Sequence, residues 1–96
     1  MHVISQKMLR EFWAEYPDSC GPLKTWHRKV EHELWSCFAE VKKFANSTDQ
    51  VGKFTVFDIG GNKYRVIAVI HYNREKVYLR HVLTHKEYQK GKWKKD

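Results

Sequence analysis

The hydrophobic period of this chain changes once, close to residue 52, and that change decides which folds are open to it. Before it, apolar residues recur at helical spacing. Leu9, Phe12, Trp13 and Tyr16 stand at i, i+3, i+4 and i+7, with Lys7, Arg10, Glu11 and Glu15 off the stripe. Ser5 is placed to cap this helix, and Pro17 ends it, because the residue before a proline is pushed out of the α region. A second helix starts at Pro22, whose fixed φ suits a first helical position. It carries Leu23, Trp26, Val30, Leu34, Phe38 and Val41 to about Phe44. Ser36 is either interior to it or the cap of a third helix. Trp13, Trp26, Trp35 and Phe38 lie on or beside these stripes and are expected in the core.

Beyond the change the spacing is two. Phe54–Ile59, Lys63–Tyr72 and Lys76–Thr84 read as three antiparallel strands. Gly60-Gly61-Asn62, residues that tolerate positive φ, make the first turn, and Asn73–Glu75 the second reversal. Val3–Ile4 is a short candidate for a further strand, and Asn46–Gln50 reads as a loop. His85–Gln89 reads as a helical turn, and the residues from about 91 as a basic tail, a candidate for disorder. The expectation is one α+β domain over residues 1–96: an N-terminal helical hairpin packed on a small antiparallel sheet.

Register decides which side chains meet. Arg65, Ile67, Val69 and His71 share one face of the longest strand, and Tyr78, Arg80, Val82 and Thr84 share a face of the next. An even number of loop residues between them brings Arg65 and Arg80 to the same face; an odd number separates them. An even loop is expected.

Charge points the same half of the chain towards a polyanion. Residues 1–52 hold seven Lys/Arg and seven Asp/Glu, whereas residues 53–96 hold eleven against four, so the whole net charge of +7 lies with the strands. A one-sided positive field attracts nucleic acid and speeds encounter with it. The basic half is patterned as strands rather than as an amphipathic helix, which argues against a membrane surface. No apolar h-region opens the chain, and the two cysteines, Cys20 and Cys37, make no disulfide framework or CxxC pair. A cytoplasmic protein with free thiols is expected.

Several residues in this half could act on a phosphodiester. Two arginines, Arg65 and Arg80, converging near Lys53 or Lys63 would bind a phosphate and stabilise its extra charge in the transition state. His85 and Tyr88, three apart, add an imidazole that titrates near neutrality and a phenol able to give a hydrogen bond or, where cations lower its pKa, a proton. Such a set suits cleavage of RNA by its own 2′-OH; which group is base and which acid stays open. The six histidines show no metal-ligand spacing, and no phosphate-binding Gly loop is present, so no metal or other cofactor is expected.

At FDIGGNKYRVIAVI followed by VYLRHVLTHKEYQKGKW the chain resembles the HigB family of bacterial type II toxins, within the RelE-like superfamily of mRNA interferases. The resemblance implies a RelE-like fold and a metal-independent endoribonuclease that cleaves mRNA on the ribosome. It also implies a helix-turn-helix antitoxin of the HigA type as partner. Carried over by position, it places Arg65, His85 and Tyr88 in the catalytic set, with Arg80 as the basic residue on the preceding strand. Lys53, Asn62, Lys63, Lys86 and Lys90 are then the candidate RNA contacts, joined by the lysines of the tail. Gln89 stands where related toxins often carry Asp, and Asp58 where Asn is common. Two rivals remain at this stage: a non-catalytic RNA- or ribosome-binding module, and a gyrase inhibitor on the same scaffold.

Overall fold

A computed structural model describes residues 1–95. Strand β1 (His2–Ile4) leads into helix α1 (Lys7–Glu15), a 3-10 turn at Pro17–Ser19, helix α2 (Cys20–Glu31) and helix α3 (Phe38–Phe44). Strands β2 (Asp49–Val51), β3 (Phe54–Ile59), β4 (Tyr64–His71) and β5 (Lys76–Thr84) follow. Helix α4 (His85–Lys90) and a second ordered turn, Lys92–Lys95, end the described chain. The sheet order is β1-β5-β4-β3-β2. Strands β3 to β5 form the expected antiparallel meander, which β2 extends by one more antiparallel strand. β1 pairs parallel with β5, Val3 opposite Val77, so the sheet is mixed rather than wholly antiparallel.

Alternation along β3 and β4 divides the side chains between two layers. Phe57, Ile59, Tyr64, Val66 and Ala68 meet Leu9, Leu23, Trp26, Val30, Trp35 and Val41 of the helical half. Phe54, Val56 and Ile67 face the other way and are covered by Trp93. Val66, Ile67 and Ala68 are all fully buried, because β4 has strand neighbours on both edges and a layer on each face. Each large aliphatic side chain sealed in this way contributes roughly 1.5–3 kcal/mol.

One open choice is decided here and three expectations need correction. Of the two alternatives at Ser36 the chain takes the separate third helix: α2 stops at Glu31, and α3 is entered from Cys37 in extended conformation. Just before it, the backbone N–H and hydroxyl of Ser36 donate to Glu40 Oε1 at 2.5 and 2.7 Å. Leu34, on the supposed stripe, falls in the break and is 72% exposed. Ser5 makes no cap; it adopts φ 75°, and Gln6 stands at the helix boundary with no side-chain cap bond. Residues 49–51 form a strand instead of a loop, turning into β3 through Gly52, which has positive φ. The basic tail is ordered as far as residue 95, because Trp93 anchors it against the sheet at 3% exposure.

The connection between β4 and β5 has four residues, 72–75, the even number expected. However, the ladder shifts register between Ile67 and Ala68: Ala68 faces Leu79, Ile67 faces His81, and Arg80 is the residue skipped. A bulge of this kind cancels one alternation. Tyr78 lies opposite Val69, but Val82 lies opposite Val66, so the two do not share a face as strict alternation requires. Beyond the bulge the residue facing Arg65 is Leu83.

Candidate active site

Consecutive residues at the start of β4 serve the two layers. Tyr64 points to the helices, where its ring meets Phe12 edge-on at 5.3 Å and its hydroxyl donates to Asp18 Oδ1 at 2.5 Å. Lys63 reaches the same carboxylate at 3.3 Å. This clamp fixes the β3–β4 turn to the helical half. Arg65 projects to the opposite layer, into the cluster that holds most of the candidate residues.

Arg65 is 6% exposed, and each of its five N–H groups meets an acceptor. Nε lies 2.9 Å from Asp58 Oδ1, its neighbour across β3. Nη1 donates to the carbonyls of Asn62 and Tyr64 at 3.0 and 3.2 Å. Nη2 donates to Asn62 Oδ1 and lies 3.3 Å from His85 Nδ1. Its carbon sits 4.9 Å from the centre of the Tyr88 ring, a cation–π distance. A buried guanidinium saturated in this way positions its neighbours and has no donor left for a phosphate in this arrangement.

The His85 tautomer follows from that contact. Arginine can only donate, so Nδ1 must accept, and the neutral ring carries its proton on Nε2. His85 therefore presents a donor, not a base, on its remaining nitrogen. Its backbone N–H bonds to the Lys63 carbonyl at 2.9 Å, tying the start of α4 to the hairpin. Thr84 and Glu87 close a capping box around that start, and Gly91, at φ 71°, ends the helix in the left-handed conformation. These local rules aim His85 and Tyr88 from one short turn.

Burial pushes the Tyr88 phenol above its usual value; Asp49 adds to this, and the pull of Arg65 does not reverse it. Tyr88 is thus held as a neutral phenol, able to give a hydrogen bond. Trp93 stacks on it at 5.2 Å and 12°, and donates from Nε1 to the Tyr88 carbonyl at 3.0 Å.

Arg65, Asn62, His85 and Tyr88 are therefore brought together, with Asn62 spent on holding Arg65. Sequence reasoning missed two members. Asp58, noted only as standing where Asn is common, is the ion-pair partner of Arg65, and cross-strand opposition to an arginine was the signal for it. Trp93 lay in the supposed tail, where a lone aromatic among lysines was the signal. Arg80, skipped at the bulge, lies one residue beyond the Ile67–His81 pair and is half-buried. Lys90 lines a cavity beside Trp93, and Lys86 is exposed on α4. Lys53 lies over Phe54 at the β2–β3 turn, and the Lys63 ammonium is drawn away to Asp18. Among the described residues no group of three or more His, Cys, Asp or Glu is placed to hold a metal ion. No helix among them is long and apolar enough to cross a membrane.

Residues 19–91 match the family described as HigB toxin, the RelE-like toxic component of a toxin-antitoxin system. The chain is 33% identical over 91 residues to the mRNA interferase toxin HigB of Escherichia coli strain K12, covering 92% of this chain and 88% of that protein. It is equally similar to the mRNA interferase HigB of Shigella flexneri, and 30% identical over 93 residues to that of Escherichia coli O6:H1, covering 94% and 90% of the two chains.

Proposed function

This chain belongs to the HigB family of RelE-like toxins, the toxic half of a toxin–antitoxin pair, and we propose that it cuts mRNA at the cluster built around Arg65. It is an endoribonuclease, its substrate is mRNA, and an antitoxin is its partner. The observation that carries the placement is the Arg65 guanidinium holding the His85 ring on one edge and the Tyr88 ring under its face.

In the reaction the substrate 2′-hydroxyl gives its proton to water as its oxygen attacks the adjacent phosphorus, and the bond to the 5′-oxygen breaks. The Tyr88 phenolate left after protonating that oxygen regains a proton from solvent. The products are a 2′,3′-cyclic phosphate and a 5′-hydroxyl. The His85 Nε2–H donates a hydrogen bond to the charged phosphorane oxygens. Tyr88, kept neutral by burial, supplies a proton to the departing 5′-oxygen. Arg65 acts through these two as a positioning residue. Arg80, Lys53, Lys63, Lys86 and Lys90 supply the positive field that draws in the phosphate backbone. No step calls for a metal. The translating ribosome in the cytoplasm is the setting in which mRNA is presented, and a helix-turn-helix protein of the HigA type is the antitoxin.

The test is induction in cells followed by mapping of mRNA 5′ ends. Wild type should create new 5′-hydroxyl ends, and His85→Ala should lose them while the purified protein melts normally. Undiminished cutting by His85→Ala removes the cluster from the chemistry. Growth arrest with intact mRNA leaves only a binding module.

A further inference from the structure

Beside the cluster lies a cavity of about 300 Å³, lined by His81, Leu83, Glu87, Lys90, Lys92 and Trp93. Its size is at the small end of ligand pockets, roughly 300–1,000 Å³. Its position relative to the reactive groups is fixed by register and stacking. Leu83 is the residue directly opposite Arg65, and Trp93 is stacked on Tyr88. Leu83 and Trp93 thus supply its apolar lining, and Lys90 and Lys92, both exposed, its positive charge. An apolar lining with cations alongside suits one nucleotide: a base against the lining and its phosphate at the lysines.

One carboxylate stands in this otherwise basic cavity. Glu87 Oε1 accepts from the Thr84 backbone N–H at 3.0 Å and from its hydroxyl at 3.2 Å, so the side chain is held in place by the capping box. Oε2 takes no part in that box. A fixed carboxylate oxygen facing a bound base accepts from an amino group and repels a carbonyl oxygen.

We infer that this cavity is the subsite for a nucleotide next to the cut, and that Glu87 selects there for a base bearing an exocyclic amino group over uracil. The inference rests on the nuclease reading above, and deepens it by naming a residue that sets where the strand is cut. Cytosine against uracil is the sharpest contrast, since they differ chiefly in an amino group replaced by a carbonyl.

The experiment compares wild type with Glu87→Gln by mapping mRNA 5′ ends after induction. Glutamine keeps the capping box, because its carbonyl accepts the same two bonds, so a merely structural Glu87 would leave the pattern unchanged. The expected result is a cytosine-over-uracil preference of about tenfold next to the cut in wild type, falling to near parity in Glu87→Gln. The same preference in both proteins, or none in wild type, overturns the inference while leaving the nuclease reading intact. Absence of new ends in wild type instead overturns that reading. A second measurement does not depend on the variant folding. Cytidine 5′-monophosphate should shift the Trp93 indole N–H signal in the NMR spectrum of the wild-type protein, and uridine 5′-monophosphate should shift it far less. Equal shifts, or no shift with either, also overturn the inference.

Discussion

Arg65 and Asp58 face each other across β4 and β3, and the 2.9 Å contact between them ends a chain of bonds that begins at His85. The guanidinium is almost wholly enclosed, whereas the carboxylate keeps about a quarter of its side-chain surface in water. Removing the cation leaves a stranded carboxylate, an opened Asn62 and an unsupported His85. Arg65→Ala should therefore cost on the order of 3 kcal/mol in urea denaturation as well as abolish cutting. Normal stability with lost cutting would show that Arg65 touches substrate instead of holding the site.

Asp58→Asn separates the hydrogen bond from the charge. The amide oxygen still accepts from Arg65 Nε, but the buried guanidinium loses its counter-charge, so the melting temperature should fall, though by less than in Arg65→Ala. The site meanwhile loses a negative charge that opposes an incoming phosphate. Cutting at limiting toxin should rise severalfold, most clearly at low salt. Unchanged or weaker cutting would mean that Asp58 helps the reaction.

His85 offers a similar division. Glutamine can accept from Arg65 and donate onward, reproducing the bonds of the neutral tautomer without its proton chemistry. If His85 acts as a fixed donor, His85→Gln retains measurable cutting, and His85→Ala falls by roughly 10²–10⁴. Equal losses in single-turnover assays would point to proton transfer by the imidazole.

Trp93→Ala should destabilise the protein by about 3 kcal/mol and reduce cutting, since it uncovers Phe54 and removes the support under Tyr88. Trp93→Phe keeps a stacked ring but loses the bond to the Tyr88 carbonyl, and should recover most of the stability. Chemical denaturation followed by circular dichroism reads both.

The Tyr64–Asp18 clamp gives stability a window in pH. The hydrogen bond from Tyr64 holds the Asp18 carboxyl below its usual value, so this contribution is present above the unfolded pKa and fades as pH falls through the folded one. The same bond pushes the Tyr64 phenol up to about 12, so its contribution is full below the unfolded value near 10 and fades as pH rises towards 12. Tyr64→Phe should flatten both limbs of a melting-temperature profile, and Asp18→Asn chiefly the acid one. Profiles parallel to wild type would show that the clamp carries no linkage.

What could be read from the sequence was what repeats. Period two located β3, β4 and β5, and the run Val66–Ile70 marked the strand with neighbours on both sides. The capping signature around His85 was written locally, as Thr84 and Glu87 three residues apart. The bulge was not, because nothing at Arg80 distinguishes a skipped residue from a paired one; the shift arises from how two strands match along their whole length. The break after α2 could be read only as one of two alternatives at Ser36. Leu34 continues the helical stripe, but Trp35 enters the core from the break and its N–H meets the Met1 sulfur at 3.5 Å, a tertiary preference over a local one. Arg65 could be picked out as a candidate, but its five acceptors come from β3, the turn, the start of β4 and α4, and only the assembled sheet brings them together.

The parallel pairing of β1 with β5 has a consequence for the order of assembly. Val3 can find Val77 only after the intervening seventy-odd residues have closed into a loop, whereas each hairpin of the meander closes locally. The meander should therefore nucleate, and β1 dock late, against an edge already formed. A weakened Val3 would then leave the refolding rate almost unchanged and appear as faster unfolding, making the edge strand a latch on the lifetime of the folded toxin.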